Sequence, residues 1–306
     1  MNTSVIYNGV DITKDVDITS CILTDSNGGK QDYCTITFAN GGKIWNEWQP
    51  QLNDVVIAKN GYCNTDVMYI NDIQSEGGAY TLVLLSTKTD AKQRKTRIWR
   101  KVMLSEVISD VAKGLGLQIE KIGVTDYLYN SLSQVNETDI NFLSRVCSLE
   151  GYNVKVYGGK LVVFNEKLLK AEAISGTIKP TDVTAYTFDN GEALLSKVTV
   201  KTFDMSKKQL ISYTATDNNI KGGSLTQIIN VDNQAQAERF AKNILYDANK
   251  NAVCGSLIMK YADVFATGSI VQLEDFKGYN GKYYICGSIF DMTNNKTILK
   301  IIKIEG

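Results

Sequence analysis

Histidine is absent from the 306-residue chain. That excludes a Ser-His-Asp triad, a Cys-His dyad and any His-ligated metal site. Proline occurs only twice, which argues against Pro-rich linkers and against disorder of that composition. No excess of one charge exists either: 33 basic residues balance 33 acidic ones. The broad electropositive surface of a nucleic-acid binder is therefore missing. No apolar run approaches the roughly 20 residues that span a bilayer. The first residues, MNTSVIYNGVDITKD, lack the basic and apolar regions of a signal peptide. The six cysteines, Cys21, Cys34, Cys63, Cys147, Cys254 and Cys286, form no close pair of the kind zinc sites use. Several stand in strand-like runs and are expected as reduced core residues.

Chemistry-bearing motifs are equally scarce. There is no phosphate-binding Gly-rich loop and no GxSxG elbow. Gly114 and Gly116 read as a helix stop. Carboxylates are numerous, but nothing marks out a catalytic pair. The expectation is a protein that is not an enzyme, with no catalytic residue, no cofactor and no metal.

What the chain does contain is turn and strand signals. Asn-Gly, the strongest short hairpin signal, occurs at Asn8, Asn27, Asn40, Asn60, Asn190 and Asn280. None falls between residues 62 and 189, so the chain divides into β-rich, different and β-rich parts. In residues 1–95, Cys34, Ile36 and Phe38 alternate with Thr35 and Thr37, and short strands follow at a spacing that suits a barrel or a sandwich.

Residues 96–175 change period. Ile108, Val111, Ala112 and Leu115 predict one helix, with Gly114 able to end it. NETDINFLSRVCSLEGY predicts a second, capped by Thr138 or Asn136, stopped at Gly151, and followed by a hairpin around Gly158-Gly159. Residues 176–306 return to strands, interrupted by one helix near 233–249 whose stripe is Ala237, Phe240, Ala241, Ile244, Leu245 and Ala248. The fold class is α+β, with a small α/β domain between two β domains.

The densest basic run is Lys88 to Lys101. It contains Arg97 and Arg100 and suits either a nucleic-acid or interface patch or a solvated connector between the first two parts. Trp45 and Trp48, beside a predicted turn, suit an interface or a core equally well. Trp99 lies at the edge of the middle domain and is expected to anchor domain packing. These five residues, Trp45, Trp48, Trp99, Arg97 and Arg100, are the interface candidates.

Three strings carry a resemblance, in order along the chain. DYCTITFANGGKIWNEWQPQLNDVVIA, with Phe38-Ala39-Asn40, Trp45 to Pro50 and Asn53-Asp54, is similar to the N-terminal barrel of the phage late control protein D family. The helix-and-hairpin string at 136–166 matches that family at Glu137, Asp139, Phe142, Leu143, Arg145, Glu150, Gly151 and Tyr152. The stretch from Gly268 to Ile304 looks like its last barrel.

The resemblance implies the central hub of a contractile-tail baseplate, of the Gram-positive phage or phage-tail-like bacteriocin type. It implies two β-barrel domains per chain and a homotrimer forming a pseudo-sixfold ring. The implied partners are the tail tube protein, the spike protein and other baseplate proteins, with no membrane and no specific nucleic acid binding. The protein would fold in the host cytoplasm and then join a virion or an extracellular tail-like particle. Since the sequence stops directly after the last strand-like run, no hydrolase or needle extension is expected. The alternative from a different class is a carbohydrate-binding or adhesin-like β-protein, which would expose aromatics on a platform.

Overall fold

The structure, a computed structural model, describes residues 3–28, 31–39, 45, 48–190, 194–205, 207–259 and 265–304. The first part holds β1 (Ser4–Tyr7), β2 (Val10–Asp11), β3 (Ile18–Ser26), β4 (Tyr33–Ala39), β5 (Val55–Lys59), β6 (Met68–Glu76) and β7 (Ala79–Leu85). Alternation drives these strands: Cys34, Ile36 and Phe38 are buried while Thr35 and Thr37 are not. The tight turns use left-handed backbone, Asn8-Gly9 at φ 46° and 86° and Gly77-Gly78 at φ 58° and 82°. The predicted Asn40-Gly41 turn and Gly191 lie outside the described residues.

The middle part is built from β8 (Arg94–Met103), α1 (Leu104–Gly114), β9 (Gln118–Ile122), β10 (Leu128–Thr138), α2 (Asp139–Leu149), β11 (Asn153–Tyr157), β12 (Lys160–Phe164) and α3 (Glu166–Leu169). β8 and β10 form a two-stranded ribbon, and β11, β12 and β9 a three-stranded sheet. The predicted helices are α1 and α2, and the predicted hairpin is β11–β12. Thr138 caps α2, accepting from the Asn141 N–H at 3.3 Å. Gly114 stays inside α1, and the left-handed residue is Gly116, φ 68°.

The last part contains β13 (Ile174–Ile178), β14 (Val183–Asn190), β15 (Leu195–Asp204), β16 (Gln209–Thr216), β17 (Gly223–Ile228), α4 (Gln234–Asn249), β18 (Val253–Met259), β19 (Ile270–Leu273), β20 (Gly281–Asp291) and β21 (Lys296–Lys303). α4 matches the predicted helix, with Asn233 as its cap. The hydrophobic clusters do not follow chain order. One unites the middle part with Val198, Val200, Ile211, Ala237, Phe240 and Leu245 from β15, β16 and α4. The other two serve the β-rich ends.

The expectation of two closed barrels is corrected. Among the described residues no sheet closes on itself. Both β-rich ends belong to one 13-stranded sheet, joined where the second half of β20 pairs antiparallel with β3, Asp291 opposite Ile22 through Gly287 opposite Ser26. Alternation along a strand reports which face is buried and carries no information on whether the sheet's edges meet.

Within that sheet the two ends repeat one another. Pairing runs β3-β4-β7-β6-β5-β1 in the first and β14-β18-β21-β20-β19-β13 in the second. The β3–β4 register breaks between Ile18 and Ser20, and the β14–β18 register breaks between Val183 and Ala185. At the break, Thr19 donates to the Thr37 carbonyl at 3.0 Å and Thr184 donates to the Ile258 carbonyl at 3.0 Å. β6 breaks register against β7 at Asn71, and β20 breaks against β21 at Cys286. Before β5 and before β19 stands a left-handed residue, Asn53 (φ 73°) and Gly268 (φ 97°). Each donates its N–H to the bulged strand, to Ile70 and to Ile285, both at 2.8 Å. The outermost strands differ: β1 is antiparallel to β5, whereas β13 is parallel to β19.

Candidate assembly surfaces

Of the candidates read from the sequence, Trp45 lies in the first β-rich core, 2% exposed. Its ring stacks on Tyr80 at 4.8 Å and contacts Phe38 at 4.5 Å. Trp48 is half-buried, edge-on to Trp45 at 5.7 Å and stacked on Tyr7 at 6.3 Å. These two rings complete a core. Trp99 on β8 stacks on Phe142 of α2 at 5.0 Å, has the Arg97 guanidinium over its ring at 4.6 Å, and donates Nε1–H to Asp110 at 3.0 Å. It fastens the β8–β10 ribbon to the two helices.

The basic run alternates along β8. Lys95 and Arg97 turn inward and hold the buried Asp139 carboxylate at 2.7 and 2.5 Å. Gln134 adds an amide donor to Asp139 at 3.0 Å, and Arg97 Nε donates to Gln134 Oε1 at 2.8 Å. Burial alone would raise this carboxyl, but the donors Lys95 and Gln134 and the charge of Arg97 hold it below the ordinary range. Arg100, opposite Ser131, is exposed. So the run is partly an internal clamp, with Arg100 among its exposed members, beside Lys88, Lys92, Arg94 and Lys101.

The residues of the 136–166 string are wired the same way. Glu137 pairs with Arg145 at 3.1 Å, and Arg145 also lies over the Phe142 ring at 5.6 Å. Glu150 is buried, accepts the Tyr129 hydroxyl at 2.5 Å, and receives Arg239 of α4 at 2.8 and 3.1 Å. Gly151 has φ 83°, and a Cβ there would stand 2.8 Å from Asn243 Oδ1 of α4. Each motif residue therefore builds the middle unit or seats α4 on it.

Three further carboxylates tie the parts together. Glu166 meets Lys170 at 2.6 Å, Asn153 at 2.7 Å and Lys250 at 3.8 Å. Burial raises its carboxyl, and the charges of Lys250 and Lys170 bring it below the ordinary range. Lys155 of β11 binds Asp25 of β3 and reaches Asp32 at 3.3 Å. Burial and the neighbouring Asp25 push the Asp32 carboxyl up to about 7, against the pull of Lys155.

Sequence reasoning missed the surfaces left open. On the outer face of the β15–β17 sheet, Phe203 stands opposite Leu210, and Ile228 is opposite Lys201 one row away. Phe203, Leu210 and Ile228 are exposed, as is Met205 at the strand end. A groove of about 820 Å³ between α4, the 216–220 segment and the end of β21 is lined by Lys167, Lys170, Lys242, Lys250 and Lys303. Lys170 and Lys250 there are engaged by Glu166. Among the described residues, the strand edges without a neighbour include that of β14, paired only with β18, and that of Asp72–Glu76 in β6, paired only with β7. Periodicity does not signal an edge, because an edge strand and a central strand alternate alike. Among the described residues no group of three acidic or thiol side chains could hold a metal, and no helix is long and apolar enough to cross a membrane.

No family model matches the chain, and no curated protein matches it. Solved structures do. The 43 kDa tail protein of prophage MuSo2 from Shewanella oneidensis superposes with a TM-score of 0.77 at 12% identity, covering 99% of this chain and 98% of that one. A tail protein from Neisseria meningitidis MC58 gives 0.77 at 13% identity, covering 98% and 96%. The E. coli c3393 protein gives 0.61 at 10% identity, covering 95% of this chain and 74% of that one. It is described as a component of the type VI secretion system with structural similarity to the T4 tail proteins gp27 and gp5. The chain thus has the fold of phage tail proteins, over nearly its whole length.

Proposed function

We propose that this protein is the structural hub of a contractile-tail baseplate, a homotrimer whose six β units form a ring between the hexameric tail tube and the trimeric spike. One observation carries the reading: a single chain contains two β units of the same strand order, with matching register breaks, joined edge to edge. Three such chains offer six near-equivalent units, which reconciles threefold with sixfold symmetry. The tail-protein fold, shared end to end with the Shewanella and Neisseria tail proteins, supports the same reading. The role is non-enzymatic, within a virion or tail-like particle, and the domains are 1–95, 96–175 and 176–306, the last lending β15, β16 and α4 to the core of the middle one.

The glycan-binding alternative needs an aromatic platform. Among the described residues Trp45 is buried, and Trp48 and Trp99 are half-buried within ring stacks, so the tryptophans do not supply it. Light scattering behind size exclusion tests the hub. The expected mass is three times the 33.9 kDa chain, about 102 kDa. A chain that stays monomeric and binds cell-wall glycan contradicts it.

A further inference from the structure

We propose that the free edge of β14 in one copy pairs antiparallel with Asp72–Glu76 of β6 in the next, repeating between chains the β3–β20 junction found within the chain. This rests on the trimeric hub reading and names the strands through which its copies meet.

The equivalences fix the contact. β14 corresponds to β3 and β6 to β20, by strand order and by four local features. These are the register break after Ile18 and after Val183, the threonine bond at each, the bulge at Asn71 and at Cys286, and the left-handed residue feeding each bulged strand. The chain uses one of two equivalent junctions: β3 meets β20. The counterpart edges are left without a strand neighbour among the described residues. β14 has β18 on one side only, and β6 beyond Asn71 has β7 on one side only. Most of Asp72–Glu76 and of β14 is exposed. An unpaired edge is a template for another chain, and here the partner edge is carried by a second copy.

Transferring the register of β3 on β20 gives a definite prediction. Asp291 opposite Ile22 becomes Glu76 opposite Thr187, Ile289 opposite Thr24 becomes Gln74 opposite Asp189, and Ser288 opposite Asp25 becomes Ile73 opposite Asn190. The pairing sets Asp189 diagonally between Asp72 and Glu76. Like charges at that spacing repel, so the interchain junction is weaker than the internal one and tightens as salt screens it.

Two double variants of the full chain test this, Gln74→Cys with Asp189→Cys and Ile73→Cys with Asn190→Cys. Successive antiparallel pairs alternate between wide and close types, so one of the two lies within disulfide reach. Under mild oxidation, the expected result is covalent species of two and three chain masses in at least one double variant, at higher yield in high salt. The wild type and the four single variants set the background from native cysteines, and their circular dichroism reports folding. Absence of such species from both folded double variants overturns the edge pairing. If the wild type then still scatters as a trimer, the hub stands and its copies meet elsewhere. If it is monomeric, the hub reading falls as well.

Discussion

Asp139 shows how a residue that reads as a motif letter acts as a structural clamp. Its carboxylate is buried, with Lys95, Arg97 and Gln134 converging on it. Asp139→Ala should cost about 2–4 kcal/mol in urea unfolding, since it strands two cations whose heads can partly rehydrate. The sign with pH follows from the depressed carboxyl. A folded value below the ordinary 3.8 stabilises the fold above that pH, and the gain is lost as pH falls through the folded value. The wild type should therefore lose more stability than Asp139→Ala on acidification below pH 3.8.

The tryptophans separate similarly. Trp45→Ala should cost about 3–5 kcal/mol, as for a large aromatic removed from a core. Arg100→Ala should stay within about 0.5 kcal/mol, as for an exposed residue without such partners. Equal costs would contradict the placement of these two side chains. Residue types at 137–152 were legible as a string; their partners were not, because Lys95, Arg97 and Arg239 lie 42 to 89 residues away along the chain.

At the scale of elements, what alternation and capping report was readable. The strands of residues 33–39, helices α1, α2 and α4, and the β11–β12 hairpin all follow from spacing and from Thr138 and paired glycines. What lies between elements was not. The seating of β15, β16 and α4 on the middle core, the open sheet and the β3–β20 junction are all long-range pairings, which local periodicity does not encode. The edges make a prediction of their own. β3 is paired by β4 and β20, whereas β14 is paired by β18 alone. In dilute, monomeric protein, amides of residues 187–190 should exchange with solvent faster than those of residues 22–25. Equal protection would mean that the β14 edge is covered.

The described molecule is two copies of one β topology joined in one sheet, together with an α/β middle unit on whose core β15, β16 and α4 pack. That duplication was invisible as a sequence repeat, since Ile22 corresponds to Thr187 and Leu23 to Phe188. It survives in register breaks and in the paired Thr19 and Thr184 bonds. The central claim is that three chains present these units as six places of one ring. Cryo-electron microscopy of the assembled species measures this most directly. The account predicts a ring of six near-equivalent β units contributed by three chains, with internal and intermolecular junctions alternating around it. A ring built from six chains, or three chains whose β units do not share one ring, would contradict it.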